Sequence, residues 1–184
     1  MKKLIHIHIG QLHASREPVI IETVLGSCVS VCLYDAVERI GGMNHILLPG
    51  EADLKHFDAS ARYGINAMER LINRIAVLGG DRRRIIAKVF GGAHILPAIS
   101  HSNGMGRKNT KFVFKFLQME GIDIINQHVG GHSTRKVLFH TDTGDAFLKT
   151  LPNADLNAFL RKELRHWDRV RSMAEESGEI TLFN

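Results

Sequence analysis

The sequence predicts an α/β fold of the α+β type: a mixed β-sheet with helices packed on it, followed by an appended C-terminal amphipathic helix. Segments rich in β-branched residues lie at both ends of the stretch before Pro152, and two segments with the apolar spacing of a helix lie between them. No internal repeat and no proline- or serine-rich linker interrupts that stretch. The pattern therefore predicts one domain at residues 1–151 and a C-terminal helix and tail at residues 152–184.

Four strands are expected in the first 50 residues of the chain. LIHIHIG at residues 4–10 and PVIIETVLG at residues 18–26 carry β-branched residues in partial alternation. CVSVCLYD at residues 28–35 alternates valine and leucine with cysteine and serine, which is the period of two that a strand shows. GGMNHILLPG at residues 41–50 predicts another short strand, opened by glycines and closed by Pro49.

Two helices are expected in the middle of the domain. From Ser60 to Leu78 the apolar residues recur at helical spacing, and the glycine pair that follows predicts the end of this helix. NTKFVFKFLQMEG at residues 109–121 predicts a second helix, which ends at Gly121 and takes Asn109 as its N-cap.

The remaining strands follow these helices. RIIAKVFGGA at residues 84–93 and IDIINQHVGG at residues 122–131 each predict a strand that ends in paired glycines. RKVLFHTDTGDAFLKTL at residues 135–151 predicts a hairpin that turns at Asp142 to Asp145.

The segment from about Asn153 to Ser172 predicts an amphipathic helix. One side carries arginines and a lysine, and the other carries an apolar stripe of Leu156, Phe159, Leu160, Leu164, Trp167 and Val170. Burial of such side chains is worth roughly 1.5–3 kcal/mol each, so the stripe is expected to pack on something. Its own domain, a second copy of the chain, a partner and an anionic membrane surface are the alternatives.

The composition narrows the classes of partner. The chain has 184 residues, 44% of them hydrophobic, and a net charge of +5, which suits an acidic protein, a nucleic acid or an anionic surface. The basic runs come without an aromatic-studded strand pair or zinc-finger spacing, so nucleic-acid binding is not expected. His6, His8 and His13 lack an acidic or cysteine partner at ligand spacing, so no metal site is predicted.

The N-terminal sequence and the cysteine content favour a cytoplasmic protein. MKKLIHIHIG has a short apolar run broken by His6 and His8, which fits neither a signal peptide nor a membrane span. A disulfide scaffold would be small and rich in cysteine, whereas this chain has two cysteines in 184 residues. We therefore expect a reducing compartment and no integral membrane segment.

Cys28 and His45 are the candidate chemical groups. Cys28 follows a Gly-Ser turn, and His45 follows a glycine pair at the start of another predicted strand. A thiol with a pKa near 8.5 is only a few per cent thiolate at neutral pH, and a neighbouring imidazole raises that fraction. Cysteine is also a common core residue, and the chain has eleven histidines, so the residues alone leave catalysis and packing both open. Cys32 is expected to be a core residue.

Four motifs carry a resemblance that favours catalysis. TVLGSCVSVCLYD, GGMNHILLP, AKVFGGA and GGHSTRKVLF occur in this order and at these separations. The chain thereby resembles the bacterial CheD family of chemoreceptor glutamine deamidases over about residues 4–150. The resemblance implies a Cys-His amidohydrolase that converts glutamines of receptor cytoplasmic domains to glutamates, without a metal or an organic cofactor.

The resemblance also implies a role for individual residues. Cys28 matches the nucleophile of the family and His45 its base, and Thr23 is the candidate for the threonine that completes the site. The Arg of the Gly-Gly block matches Arg135. Ser27 and Asn44 directly precede Cys28 and His45, and with Arg135 they are the candidate substrate-binding residues.

Two other functions compete with deamidation of receptors. The resemblance also implies regulation through a CheC-type phosphatase, so the chain could be a binding module for that phosphatase or for a receptor. The other alternative is a different thiol amidohydrolase. The presence of both Cys28 and His45 favours catalysis, and the lack of long loop insertions that enclose a small molecule favours a protein substrate.

Overall fold

The computed structural model describes residues 2–48, 50–94 and 104–151, together with residues 161, 165, 168, 169 and 172. Nine strands and two α-helices follow one another in this part of the chain. The strands are β1 (Lys3–His6), β2 (Leu12–Ser15), β3 (Val19–Leu25), β4 (Val29–Asp35), β5 (Ile40–Asn44), β6 (Ile85–Gly91), β7 (Ile124–Val129), β8 (Arg135–His140) and β9 (Ala146–Thr150); the helices are α1 (Ala59–Val77) and α2 (Met105–Met119).

The strands divide into two sheets. The first sheet has the order β1-β3-β8-β9, and the second has the order β2-β5-β4-β6-β7. Both are mixed, because β1 runs parallel to β3 and β6 runs parallel to β7, whereas the other neighbours are antiparallel. The predicted α+β class with mixed β-structure and packed helices is confirmed. The division into two sheets is an addition that the sequence pattern does not contain.

Two hydrophobic clusters define three layers. One cluster joins the inner faces of the two sheets and includes Ile21 and Phe139 of the first sheet and Met43 of the second. The other joins the opposite face of the second sheet to the helices, through residues such as Leu71 of α1 and Phe116 of α2. The second sheet is therefore the middle layer, between the first sheet and the helices.

Helix α1 agrees with its predicted range to within one residue at each end. Asp58 caps it by accepting a hydrogen bond of 2.7 Å from the amide of Ala61. The helix ends before Gly79, whose φ of +103° is left-handed, as a C-terminal glycine permits. The predicted end of this helix at the glycine pair is therefore confirmed.

Helix α2 begins four residues earlier than predicted. Its N-cap is Gly104, which has no side-chain oxygen to offer, and Asn109 is fully buried inside the helix. The expected role of Asn109 as N-cap is therefore wrong. A side chain at Gly106 would place its Cβ 2.5 Å from the carbonyl oxygen of Gly92, so the first turn of α2 packs closely on the segment after β6.

Some strands differ from their predicted ranges. The sequence pattern does not predict β2, a strand of four residues that pairs with β5 at the edge of the second sheet. The strand expected at residues 41–50 is β5, which ends at Asn44, and His45 follows it. Residues 85–91, 124–129 and 135–150 contain strands where strands are expected.

The apolar stripe of the predicted C-terminal helix lies outside the described residues. Of that segment, Arg161, Arg165, Asp168, Arg169 and Ser172 are described, and they are helical and exposed. Neither α1 nor α2, the helices described in full, has the length and apolar composition needed to span a membrane.

Candidate active site

Cys28 lies where the chain passes from the first sheet to the second. Residues 26–28, here named the Cys28 loop, connect β3 to β4. The amide of Gly92 donates to the carbonyl of Cys28 at 2.7 Å, and the amide of Ala93 donates to the carbonyl of Gly26 at 2.7 Å. A Cβ at Gly91 would lie 2.2 Å from the Cys28 carbonyl oxygen, so this close approach requires glycine. The backbone of the loop is therefore held from one side by residues 91–93.

His45 follows β5 on the neighbouring strand. Val29 and Ile46 exchange two backbone hydrogen bonds of 3.0 and 2.8 Å, which makes Cys28 and His45 diagonal neighbours across the ladder. Residues two apart on a strand share a face, so His45 lies on the same face as Met43. Met43 and Cys28 both belong to the cluster between the sheets. The thiol and the imidazole therefore occupy the same face of the second sheet.

Thr23 approaches this pair from the first sheet. Its Oγ1 lies 2.8 Å from Nδ1 of His45, and the hydroxyl donates to the carbonyl of Ile7 at 2.9 Å. Thr23 is 3% exposed and His45 is 4% exposed, so water competes little for these bonds. The structure brings the three predicted catalytic residues together between the sheets.

The two cysteines differ in their surroundings. Both are buried thiols. Cys32 lies in the middle of β4, in the cluster between the sheets, and burial raises the pKa of its thiol, an effect that the charge of Lys88 opposes. Cys32 is therefore a protonated core residue, as expected. Cys28 lies at the end of the ladder, next to the strand that carries His45.

Tyr63 is a polar residue that the sequence motifs do not single out and that interacts electrostatically with Cys28. It lies on α1 and is half-buried. Burial raises the pKa of its phenol, and the negative charge of a Cys28 thiolate raises it further. The phenol of Tyr63 therefore stays protonated at neutral pH.

Ser27 and Asn44 have different surroundings. Ser27 is 8% exposed and its Oγ lies 3.6 Å from Sδ of Met105. Asn44 is 2% exposed; its Oδ1 accepts from the amide of Val31 at 3.0 Å, and its Nδ2 donates to the carbonyl of Ala67 at 3.4 Å. The side chain of Asn44 therefore binds β4 and α1, on the opposite face from His45.

Arg135 is a buried cation that binds backbone carbonyls. It is 2% exposed, and its guanidinium donates to the carbonyls of His128, Gly130 and Ser133. Burial lowers the pKa of this side chain. Arg135 forms no ion pair with any residue that the structure describes. Its bonds close the connection between β7 and β8.

That connection is linked to the Cys28 loop. The amide of Gly130 donates to the carbonyl of Gly91 at 2.9 Å, and the amide of His94 donates to the carbonyl of Gly131 at 2.7 Å. Residues 91–94 thus lie between the connection that Arg135 closes and the loop that carries Cys28. In addition, Arg135 pairs directly with Leu25, the residue before that loop.

Asn109 joins the segments that contain Cys28 and His45. Its Nδ2 donates to the carbonyl of Ser27 at 3.0 Å, and its Oδ1 accepts from the amide of Leu48 at 2.9 Å. One buried amide on α2 therefore fixes the Cys28 loop relative to the segment that follows His45. Within the described ranges, no three histidine, cysteine or acidic side chains form a group suited to a metal ion.

The chain is similar to proteins of bacterial chemotaxis. Residues 47–150 match the family model CheD, described as CheD chemotactic sensory transduction. A protein of Vibrio vulnificus, strain YJ016, named probable chemoreceptor glutamine deamidase CheD, is 37% identical over 182 residues, which cover 95% of this chain and 84% of that protein. One of Shewanella oneidensis, named probable chemoreceptor glutamine deamidase CheD 1, is 40% identical over 176 residues, with the same coverage of 95% and 84%.

The match to the Vibrio protein extends beyond the family-model match at both ends. Because only 5% of the chain lies outside the match to the Vibrio protein, that match includes Thr23, Cys28 and His45, which precede the family-model match. It also extends into the segment after residue 151, farther than the resemblance recognised from the motifs. A protein of Anaeromyxobacter dehalogenans, also named probable chemoreceptor glutamine deamidase CheD 1, is 40% identical over 147 residues, 80% of this chain and 84% of that protein.

Proposed function

The chain belongs to the CheD family, and we propose that Cys28, His45 and Thr23 are the catalytic residues with which it acts as a chemoreceptor glutamine deamidase. The observation that carries this assignment is the 2.8 Å contact between Thr23 Oγ1 and His45 Nδ1, on the face of the second sheet that holds Cys28. A nucleophile, a base and a group that orients the base are the parts that thiol hydrolysis requires. The reaction is hydrolysis of a glutamine side-chain amide to glutamate and ammonia.

The hydrogen bonds of Thr23 select the tautomer of His45. The hydroxyl has one proton, which it donates to the carbonyl of Ile7, so its oxygen accepts a hydrogen bond from Nδ1–H of His45. In the neutral imidazole the other nitrogen, Nε2, then carries the lone pair. Nε2 is therefore the atom that takes the proton of the Cys28 thiol.

The first half of the reaction forms a thioester. The Cys28 thiolate attacks the side-chain carbonyl carbon of glutamine, and backbone amides of the Cys28 loop stabilise the oxyanion that forms. The C–N bond then breaks, and protonated His45 gives its proton to the departing nitrogen. Ammonia leaves, and the glutamyl group remains bound to the sulfur.

The second half releases glutamate. Neutral His45 takes a proton from a water molecule, which attacks the thioester carbonyl. The C–S bond breaks, the thiolate departs, and His45 is again protonated, so that the thiolate–imidazolium pair is restored. The sum is one water consumed and one ammonia released.

The other candidate site residues have supporting roles. We propose that Ser27, which directly precedes Cys28 in the Cys28 loop, contacts substrate. Asn44 positions His45, the next residue in the chain, because the side chain of Asn44 is hydrogen-bonded to β4 and α1. Arg135 positions the Cys28 loop through the β7–β8 connection and residues 91–94. The buried guanidinium is suited to that task, since it donates to three backbone carbonyls at once.

The partners and the location follow from this function. We propose that the substrates are the cytoplasmic domains of chemoreceptors, that a CheC-type phosphatase is a second partner, and that the protein is cytoplasmic. Residues 1–151 contain the three catalytic residues, and we propose that they form the deamidase domain. The segment 152–184 is then an appendage that packs on this domain or on a partner.

Mass spectrometry of a receptor fragment tests the function. Incubation with the protein is expected to raise the mass of specific peptides by the one-dalton difference between glutamine and glutamate, with release of one ammonia for each conversion. A fragment in which the reactive glutamines are replaced by alanine is the control. Intact masses that stay unchanged after long incubation at stoichiometric enzyme would reject deamidation and favour the binding-module alternative.

Thr23→Val is expected to lower kcat at least about tenfold and to leave KM within about twofold. Valine keeps the shape of threonine but cannot accept the Nδ1–H bond, and the loss of a hydrogen bond to a group that becomes charged costs about 1.5–3 kcal/mol. The measurement is the rate of ammonia release from the receptor fragment.

Thr23→Ser, which keeps the hydroxyl, is the matched control and should retain most of the rate. Equal rates for Thr23→Val and the unchanged protein would remove Thr23 from the catalytic group and leave Cys28 and His45 in place.

A further inference from the structure

Helix α2 exposes a face whose side chains carry mostly unneutralised positive charge. Arg107, Lys111 and Lys115 are spaced four residues apart and exposed, and Lys108 beside them is half-buried. Residues 105–119 contain no aspartate or glutamate. These four side chains are here named the basic face. Side chains four apart lie on one side of a helix, so their charges add over a continuous surface.

Little of this charge is neutralised within the domain. Glu51 lies 3.8 Å from the ammonium of Lys108 and 3.7 Å from that of Lys111, so one carboxylate is shared between two lysines at more than hydrogen-bond distance. Arg107 and Lys115 form no ion pair with residues in the described ranges. Most of the positive charge of the basic face therefore remains available to bind an acidic partner.

The basic face also borders two cavities that are large enough to hold side chains of a partner. A cavity of about 280 Å³ lies between Glu51 and the residues Gly104, Arg107, Lys108 and Lys111. A second cavity of about 280 Å³ lies farther along the helix, between residues 51–55 and Lys115, with Phe112 in its wall. In both open depressions the ammonium and guanidinium groups outnumber the carboxylates of Glu51 and Asp53, which suits an acidic partner better than an apolar one.

The same helix contacts the Cys28 loop. Asn109 and Met105, on its buried side, contact Ser27 at 3.0 and 3.6 Å. Cys28 itself is fully buried, so a glutamine side chain reaches it only when the polypeptide that carries that glutamine lies against the surrounding surface. Helix α2 borders that surface, and Lys108 of the basic face lies three residues from Met105, on the same side of the helix.

We propose that the basic face is the docking surface for the substrate receptor and binds acidic side chains that flank the reactive glutamine. The inference rests on the proposed function, since it takes the receptor as the occupant. Ammonium and guanidinium groups at the rim of an interface attract an acidic partner and fix its register, while the chemistry stays with the buried residues. Substrates with carboxylates near the target glutamine are therefore preferred over neutral ones.

The test is a charge reversal on the basic face with a matched reversal elsewhere. Lys111→Glu with Lys115→Glu is expected to raise KM for a receptor cytoplasmic fragment about tenfold with kcat within about twofold, and to flatten the dependence of KM on salt. Lys3→Glu with Lys149→Glu makes the same change in net charge on exposed lysines of the first sheet and should leave KM within about twofold. Circular dichroism checks that both variants fold.

Binding separates this proposal from the proposed function. The Cys28→Ala protein is titrated with the receptor fragment, alone and with the same charge reversals. Charge-dependent binding without any turnover by the unchanged protein would sustain docking and reject deamidation. Turnover with equal KM and equal binding in both reversed variants would reject docking and sustain deamidation. A third outcome would also overturn the proposal. If Lys111→Glu with Lys115→Glu abolished binding to vesicles of phosphatidylcholine and phosphatidylserine and left receptor binding unchanged, the basic face would bind a membrane rather than the receptor.

Discussion

Cys28→Ala is expected to abolish deamidation, with a fall in kcat of at least about 10⁴-fold. No other group on the face that holds His45 can form the thioester, because Cys32 lies in the interior of β4 and burial keeps its thiol protonated. The substitution removes one buried heavy atom, so the free energy of unfolding should fall by only about 1 kcal/mol. The measurement is the one-dalton mass gain of receptor peptides, followed over time.

Cys32→Ala is the matched control for this prediction. It removes the same atom from the same cluster between the sheets, four residues along the chain, and should retain activity. The assignment of the nucleophile would be wrong if the Cys32 variant were inactive and the Cys28 variant active, provided that both show the circular dichroism of the unchanged protein.

His45→Ala is expected to lower kcat by at least about 100-fold. In the proposed mechanism the imidazole takes the proton of the thiol, delivers it to ammonia and then activates water. General acid-base catalysis by a positioned side chain is worth about 10²–10⁴-fold. The same substitution should slow the alkylation of Cys28 by iodoacetamide at neutral pH, because less thiolate is present. This second readout does not depend on a receptor.

A histidine away from the site provides the comparison. His140 lies on β8 with its ring 5.3 Å from that of Phe147, and His140→Ala should change neither the rate of deamidation nor the rate of alkylation. Deamidation by His45→Ala at the rate of the unchanged protein would reject the thiol–imidazole pair.

Local patterns were enough to predict most of the elements. The alternation in CVSVCLYD and the apolar spacing from Ser60 to Leu78 reflect one buried face each, and β4 and α1 follow them closely. The partition into two sheets depends instead on pairings between distant segments, such as β3 with β8, which no local period encodes. A strand as short as β2 has too few residues to show a period.

The candidate site was predictable where the residue types themselves carry the chemistry. Cys28 and His45 could be selected by type and by motif. The relation of Thr23 to His45 depends on the strand parity of β3 and on how the two sheets pack, and neither is visible in a single sequence. The bridging role of Asn109 was missed because an asparagine near the start of a helix pattern suggests a cap, and only the tertiary contact places it inside α2.

The spacing of the two thiols along one strand determines how the enzyme responds to oxidants. At a rise of about 3.3 Å per residue, Cα atoms four residues apart are separated by on the order of 13 Å, about twice the span of a disulfide. Cys32 therefore cannot act as a resolving thiol for a Cys28 sulfenic acid. Peroxide that oxidises Cys28 to the sulfenic acid is therefore expected to lead to a mixed disulfide with a small thiol, or on to the irreversible sulfinic and sulfonic acids. Recovery of activity after an oxidative challenge then depends on an external thiol.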